Sequence, residues 1–186
     1  VPVTLSPDGR NRPPHLRPWR DGWRHLRFML LYSPKWLFFY PGLVLMVAGI
    51  TFLAMLVSGP KNFGVIQLDI HTMVYSAFAV TIGYNTVVFA LFSRLYALKQ
   101  GLIPGRASPE PMRLEIGMVV GVIITVLGIT LSAYTLSQWK TGGFHELDPR
   151  AVMRMVIPAA LVMAMGVQTI LSSFFMGMLL LKVKSR

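Results

Sequence analysis

The residues best suited to chemistry lie in one basic segment, 6–34, which reads SPDGRNRPPHLRPWRDGWRHLRFMLLYSP and contains six arginines. In its first half, an Asp-Gly turn signal and several prolines exclude a helix, so the arginines there are expected on extended backbone. A guanidinium is planar and binds a phosphate through a pair of parallel hydrogen bonds. The segment therefore predicts a clamp for a lipid phosphate, formed by Arg10, Arg12 and Arg17. The competing interpretation is that these arginines only supply positive charge beside a membrane.

The second half of this segment predicts a helix that begins at Pro18, because proline is favoured in a first helical turn, and runs to about Tyr32. At about 100° per residue, one narrow stripe holds two tryptophans and two leucines, and the arginines flank it. A helix of this kind lies in the plane of the membrane interface. The predicted stripe is Trp19, Trp23, Leu26 and Leu30, and the predicted flanking face is Arg20, Arg24 and Arg27.

The rest of the chain predicts the element that holds this segment at a membrane. Hydrophobic residues make up 54% of the chain and charged residues 13%, and four long stretches contain no Asp, Glu, Lys or Arg. Each stretch exceeds the ~20 residues that a helix needs to cross a bilayer, and none alternates as barrel strands do. We therefore expect an all-α polytopic membrane protein with transmembrane helices near 36–58, 70–96, 116–138 and 154–181.

The distribution of Lys and Arg predicts the orientation. Seven precede the first span, one lies in the 59–69 loop, four in the 94–115 loop, three in the 140–154 loop and three in the tail. The positive-inside rule then places both termini in the cytoplasm. The net charge of +11 fits attraction to anionic membrane lipids, and it disfavours nucleic-acid binding because the basic residues flank the spans rather than form a separate domain.

The two predicted helical hairpins resemble each other. GLVLMVAGITFLA (42–54) and GVIITVLGITLSA (121–133) share Gly, the tripeptide Gly-Ile-Thr and Ala at constant offsets. GYNTVVFALF (83–92) and GVQTILSSFF (166–175) share Gly, an amide side chain and Thr. Both hairpins start on the same side, so these matches predict a parallel internal repeat.

Small and polar residues within the spans predict how the helices pack. Six glycines would let helices approach closely: Gly42, Gly49, Gly121, Gly128, Gly166 and Gly177. Asn85 and Gln168 occupy equivalent mid-span positions in the repeat. We expect these amides to hydrogen-bond across helices, and the alternative is a role towards a lumen or a substrate.

Neither a catalytic nor a metal site is predicted in this chain. His145, Glu146 and Asp148 share one short loop without helical spacing, which favours solvation over metal binding, and His71 has no obvious second axial ligand for a haem. The chain has no Cys, which excludes disulfides and thiolate chemistry. It also lacks Asp-x-Asp, the Gly-rich nucleotide loops and the common hydrolase motifs.

The stretch VPVTLSPDGRNRPPHLRPWRDGWRHLRFMLLYSPKWLFFYPG (1–42) resembles a junction in bacterial family-2 glycosyltransferases of the polyprenyl-phosphate type, similar to dolichol-phosphate mannose or glucose synthases. In these enzymes a cytoplasmic α/β catalytic domain continues through a basic loop and an interfacial helix into a membrane module. The resemblance continues through GYNTVVFALFSRLYAL, LEIGMVVGVIITVLGITLSAYTLSQWKTGGFHELDP and GVQTILSSFFMGMLLL, so it covers nearly the whole chain.

The resemblance implies that the catalytic domain and the membrane module bind different substrates. In the family, an Asp-rich motif of the catalytic domain holds a divalent metal, Mg or Mn, and the nucleotide sugar. Basic residues near the membrane receive the phosphate of the acceptor lipid, and the counterparts here are Arg10, Arg12, Arg17 and Arg20. The location implied is a bacterial inner membrane. The expected organisation is a basic loop that ends a catalytic domain (1–17), an interfacial helix (18–34), a first hairpin (35–98), a cytoplasmic loop (99–115), and a second hairpin with a basic tail (116–186).

Two functions stay open from the sequence. The chain is either the membrane module of a glycosyl-lipid synthase that presents polyprenyl phosphate, or a non-catalytic four-helix accessory subunit that stabilises a larger membrane complex. The expected partners are membrane lipids and polyprenyl phosphate, together with a catalytic domain, a second copy of the chain or a larger assembly. An upstream reading frame containing Asp-x-Asp would separate the two functions.

Overall fold

The computed structural model describes residues 18–33, 35–104, 111–141 and 148–180. The predicted clamp residues Arg10, Arg12 and Arg17 lie outside these ranges. Five α-helices and one short β-hairpin make up the described part of the chain. In order they are α1 (Pro18–Tyr32), α2 (Tyr40–Val57), β1 (Lys61–Phe63), β2 (Ile66–Leu68), α3 (Ile70–Lys99), α4 (Pro111–Thr141) and α5 (Pro149–Leu180). The all-α polytopic fold predicted from the sequence is confirmed.

Within the described ranges, four segments are long and apolar enough to cross a membrane: Lys35–Val57, Ile70–Lys99, Glu115–Gln138 and Pro149–Leu180. Helices form here because the hydrocarbon core offers no hydrogen-bond partners, so each backbone group must be satisfied within its own segment. Most apolar side chains on these helices are exposed, as expected where lipid rather than protein covers them. The chain is a membrane protein.

The helices pack as two antiparallel hairpins, α2 on α3 and α4 on α5. Glycine pairs bring the backbones together in both. A methyl group on Gly83 would lie 2.5 Å from the carbonyl oxygen of Gly42, and one on Gly121 would lie 3.1 Å from that of Gly166. Gly42 matches Gly121 in the sequence repeat, and Gly83 matches Gly166. The same repeat positions therefore lie in close contact in each hairpin.

A second set of contacts follows the same register. A methyl group on Gly49 would meet the backbone nitrogen of Val80 at 2.9 Å, and one on Gly128 would meet the backbone nitrogen of Met163 still more closely. Val80 and Met163 precede the matched glycines of their helices by the same number of residues. The repeat predicted from the sequence therefore corresponds to a packing pattern that recurs in the two hairpins.

The hairpins meet through α3 and α5. The hydroxyl groups of Tyr84 and Thr169 are hydrogen-bonded at 2.8 Å. The rings of Phe92 and Phe175 lie 4.9 Å apart between centroids. These contacts hold the two hairpins together within the membrane-spanning region.

Three local features were not predicted from the sequence. A π-helical turn, Lys35–Phe39, precedes α2. The connection between α2 and α3 forms the antiparallel pair β1–β2, whose turn contains Gly64 at a φ of +61°. Finally, α4 and α5 begin at Pro111 and Pro149, several residues before the apolar stretches, because charged residues do not stop a helix once a first-turn proline has set its start.

The mid-span amides differ from the expectation. Asn85 is exposed on α3, and no hydrogen bond joins it to another described residue. The Oε1 atom of Gln168 is buried without a hydrogen-bond partner among the described residues. The hydrogen bond between helices comes instead from their neighbours, Tyr84 and Thr169. The prediction that Asn85 and Gln168 join helices was therefore wrong.

Candidate functional site

Helix α1 has the predicted bounds, Pro18–Tyr32. Its stripe residues Trp19, Trp23 and Leu26 are 88%, 58% and 42% exposed. The rest of the described chain therefore leaves this apolar stripe uncovered. Since α1 leads directly into the first span, the stripe is placed where its rings could enter the headgroup layer of a membrane.

The basic face of α1 is also open. Arg20, Arg24 and Arg27 are exposed and project beside the tryptophan stripe. Of the four arginines predicted to bind the lipid phosphate, Arg20 is the one within the described residues, so the structure does not test the clamp. What it does show is a cationic face and an apolar face on one helix at the entrance to the first span. Such a helix can hold an anionic lipid headgroup beside its own membrane anchor.

A second polar cluster lies at the opposite end of the bundle, beside the β-hairpin and the start of α5. We call this the distal end. Arg154 donates a hydrogen bond to Oδ1 of Asp69 at 2.5 Å, and a guanidinium nitrogen of Arg150 lies 3.6 Å from Oδ2. The side chains of Asp69 and Arg154 are only 17% and 16% exposed. This ion pair joins the start of α3 to the second turn of α5, and so links the two hairpins.

The environment of Asp69 favours its charged form. Burial acts to raise the pKa of Asp69, but the hydrogen bonds from Arg154 and from the backbone of Ile70 act to lower it, as do the charges of Arg154 and Arg150. The net result is a pKa of Asp69 below its usual value. The ion pair is therefore complete at neutral pH.

The residues that were considered as metal or haem ligands are Asp148, His145, Glu146 and His71. Asp148 accepts a hydrogen bond from the backbone N–H of Arg150 at 3.0 Å, which caps the start of α5. His145 and Glu146 lie outside the described residues. His71 is exposed near the start of α3 and lines a cavity beside Asp69.

Sequence reasoning missed the link between Asp69 and Arg154. In the sequence, each of these residues borders a charge-free apolar stretch and nothing marks it as paired. Their signal was present nevertheless: opposite charges border two different spans at the same end of the bundle. Charges at matching depths in neighbouring hairpins are candidates for pairing, because an unpaired charge close to hydrocarbon is costly.

Two comparisons with known proteins identify related sequences. Residues 91–180 match the family described as the glycosyltransferase family 2 C-terminal transmembrane region. A curated relative, the low-salt glycan biosynthesis hexosyltransferase Agl6 of Haloferax volcanii, is 32% identical over 184 residues. That alignment covers 96% of this chain and 42% of the relative, so the chain spans less than half the relative's length. No solved structure matches the chain significantly.

These matches agree with the sequence analysis. The family match includes the C-terminal part of α3 and nearly all of the second hairpin, and the alignment with the hexosyltransferase extends over almost the whole chain. The resemblance to the C-terminal membrane module of a family-2 glycosyltransferase is therefore confirmed.

Proposed function

We propose that this chain is the membrane-anchoring module of a glycosyltransferase that moves a sugar from a nucleotide sugar to polyprenyl phosphate, and that it presents the lipid phosphate. The observation that carries the proposal is the alignment of 96% of the chain with part of a hexosyltransferase, combined with the open cationic face of α1. The chain contributes binding and position, and the transfer itself belongs to a catalytic domain.

The chemistry of the basic segment supports this role. Arg20 opens the cationic face of α1, and Arg10, Arg12 and Arg17 precede it within a few residues. A long isoprenoid chain stays in the bilayer, so its phosphate must be captured at headgroup depth. Trp19 would hold α1 at that depth, and arginine forks would bind the phosphate oxygens. An acceptor held there is protected from diffusing away while a sugar is delivered to it.

A divalent metal, Mg or Mn, belongs to the catalytic domain in this proposal. Within the part of the chain that the structure describes, no group of three His, Asp or Glu side chains could hold a metal ion. Two of the described acidic residues have structural contacts, since Asp69 pairs with Arg154 and Asp148 caps the start of α5. We therefore assign no step of the reaction to a metal in this chain.

We place both termini of the chain in the cytoplasm of a prokaryotic cell. The Lys and Arg distribution supports this orientation, and a nucleotide sugar is a cytoplasmic substrate. The expectation of a bacterial inner membrane stays a prediction, since the matched relative is archaeal.

The test compares binding of dolichyl phosphate and dolichol to the purified protein that carries this chain. Single Arg→Lys changes at Arg10, Arg12, Arg17 and Arg20 keep the charge and remove the planar fork. We expect each to weaken dolichyl phosphate binding by about five- to ten-fold, since a charge-assisted bidentate contact is lost. The matched control is Arg94→Lys, an exposed arginine at the same end of the bundle, which should bind like the wild type.

Two outcomes would count against the proposal. Wild-type binding in all four lysine variants would show that the arginines act only as positive charge, which leaves α1 as an anchor. Equal binding of dolichyl phosphate and dolichol by the wild type would remove phosphate presentation altogether. That second outcome favours the accessory-subunit alternative, in which the chain stabilises a larger complex without touching the acceptor.

A further inference from the structure

We propose that the distal end of the bundle carries a second lipid site, which binds a glycerophospholipid with an anionic headgroup. The headgroup lies against Arg150, and one acyl chain lies in a groove between α3 and α5. This site is at the opposite end from α1, so it is independent of the acceptor-binding role proposed above.

The polar part of the site is a cavity of about 390 Å³ at the start of α3 and α5. Arg150, His71 and Gln67 line it, together with Asp69. Arg150 is 68% exposed, and it reaches Asp69 only at 3.6 Å. A guanidinium has several N–H donors, so Arg150 retains donors that can face a phosphate in this cavity.

Among the charges near the cavity, Arg150 is the one best placed to contact an anion. Asp69 lies closer to Arg154 than to Arg150, and the charges of Asp69 and Arg154 offset each other. The carboxylate of Asp148 accepts the backbone N–H at the start of α5. Arg150 is then the cation with the most exposed position in the cluster. An anionic headgroup would give Arg150 a closer ionic partner than Asp69, which lies 3.6 Å away.

The apolar part of the site is a groove of about 250 Å³ between α3 and α5. Small side chains are among those that line it, Ala77 and Thr81 on α3 and Ala160 and Ala164 on α5. Met153 lines both this groove and the polar cavity. The two are therefore adjacent, with the polar cavity at the membrane surface and the groove towards the membrane centre.

The dimensions of the groove fit one acyl chain. From Met153 to Ala164 the groove follows α5 for roughly 16 Å, at about 1.5 Å per residue. That length is about half of the ~30 Å hydrocarbon core, which is the depth of one leaflet. Free phosphate would use only the polar cavity, and a lipid uses both parts. We therefore assign the site to a lipid of the leaflet at the distal end.

The experiment counts bound lipids by native mass spectrometry of the purified protein in a non-ionic detergent. It compares dioleoyl phosphatidylglycerol with dioleoyl phosphatidylcholine, which have the same acyl chains and different headgroup charge. We expect the wild type to bind the anionic lipid more tightly. Arg150→Gln should weaken that binding about five- to ten-fold, while Lys61→Gln, which removes an exposed cation at the same end outside the cavity, should not.

The groove has its own variant pair. Ala160→Phe places a ring in the groove from an exposed position on α5, and Val167→Phe adds a ring at an exposed position of the same helix outside it. We expect Ala160→Phe alone to weaken binding of phosphatidylglycerol. Far-ultraviolet circular dichroism confirms that each variant is folded. Equal binding of the two lipids, or wild-type binding by both Arg150→Gln and Ala160→Phe, would overturn the proposal.

Discussion

Two residues at the distal end, Asp69 and Arg154, carry the strongest polar contact between the hairpins. Replacing Asp69 by Asn removes the charge that balances Arg154, whose Nε atom is already buried without a partner among the described residues. We expect Asp69→Asn to lower the thermal unfolding midpoint, because a half-buried cation is then left uncompensated. Glu115→Gln, at an exposed residue of α4, is the matched control and should leave the midpoint unchanged.

A double-mutant cycle separates the pair from its surroundings. Asp69→Asn leaves the charge of Arg154 without a partner, and adding Arg154→Gln removes that charge. The double variant should therefore lose less stability than the sum of the losses in the two single variants. Strictly additive losses would show that the contact between Asp69 and Arg154 contributes nothing beyond each residue's separate packing.

The pH dependence of the same pair follows from the lowered pKa of Asp69. A carboxyl whose pKa is lower in the folded state adds stability that is complete above its unfolded pKa, which is about 3.9. That stability is lost as the pH falls through the lowered folded value. The difference in unfolding midpoint between wild type and Asp69→Asn should therefore be constant from about pH 5 to 8 and shrink below about pH 4. A difference that already disappears at about pH 6 would contradict the lowered pKa.

At the scale of the elements, the glycine pairs fix how each hairpin closes. A methyl group on Gly83 would meet backbone of α2, and one on Gly166 would meet backbone of α4. Backbone cannot move aside as a flexible side chain does, so we expect Gly83→Ala and Gly166→Ala each to cost about 1–3 kcal/mol in unfolding free energy. Gly22→Ala on α1 is the control, because no atom lies within 4 Å of the added methyl group.

These variants also test the repeat. If the two hairpins are equivalent, Gly83→Ala and Gly166→Ala should destabilise by similar amounts, as measured by reversible denaturation in detergent. A large loss at Gly83 with none at Gly166 would show that the shared sequence pattern does not reflect shared packing. The Gly22→Ala control should be neutral or slightly stabilising, since alanine favours helix over glycine.

The sequence predicted the long helices well because length and hydropathy are local properties. Pro18 and the tryptophan stripe were enough to place α1, and charge-free stretches were enough to place the four spans. The β-hairpin escaped prediction because Lys61–Phe63 and Ile66–Leu68 are too short to show a clear period. Gly64 occupies the turn between these strands, but a glycine alone does not identify a β-hairpin.

The amides were misjudged because mid-span depth says nothing about the direction a residue faces. Gly83 faces α2, and Asn85 follows by two residues, so it lies about 200° around the helix and points away. Gln168 is related in the same way to Gly166, which faces α4. It is half-buried because α5 also packs on α3. The close glycine contacts show which side of each helix faces its partner helix, and composition alone does not show this.

The partnership of Asp69 with Arg154 was not predicted, for a related reason. The two residues are separated by 85 positions and belong to different hairpins. Hydrophobic periodicity identifies which face of a helix is apolar, but it does not identify which helix packs against that face. The pairing depends on α3 lying beside α5, and that arrangement appears only in the folded structure.

The whole molecule has two chemically different ends. The end with α1 is cationic and carries an exposed tryptophan stripe. The distal end carries a short β-hairpin and balanced charges at Asp69 and Arg154. This polarity agrees with a protein that works on one face of the membrane. The proposed function also depends on orientation, because acceptor capture next to a cytoplasmic catalytic domain would require α1 on the cytoplasmic side.

Orientation is therefore the prediction on which the proposed function depends most. The four spans found in the described residues are an even number of crossings, so we expect the two ends of the chain on the same side. Seven Lys and Arg precede the first span, four lie in the 94–115 loop and three in the tail, against one in the 59–69 loop and three in the 140–154 loop. Reporters fused after Arg186 and inserted in the 94–115 loop should both indicate the cytoplasm, and a reporter in the 140–154 loop should indicate the other side. A C-terminus on the outer side would place α1 away from nucleotide sugars and would exclude the presentation of acceptor phosphate by this chain.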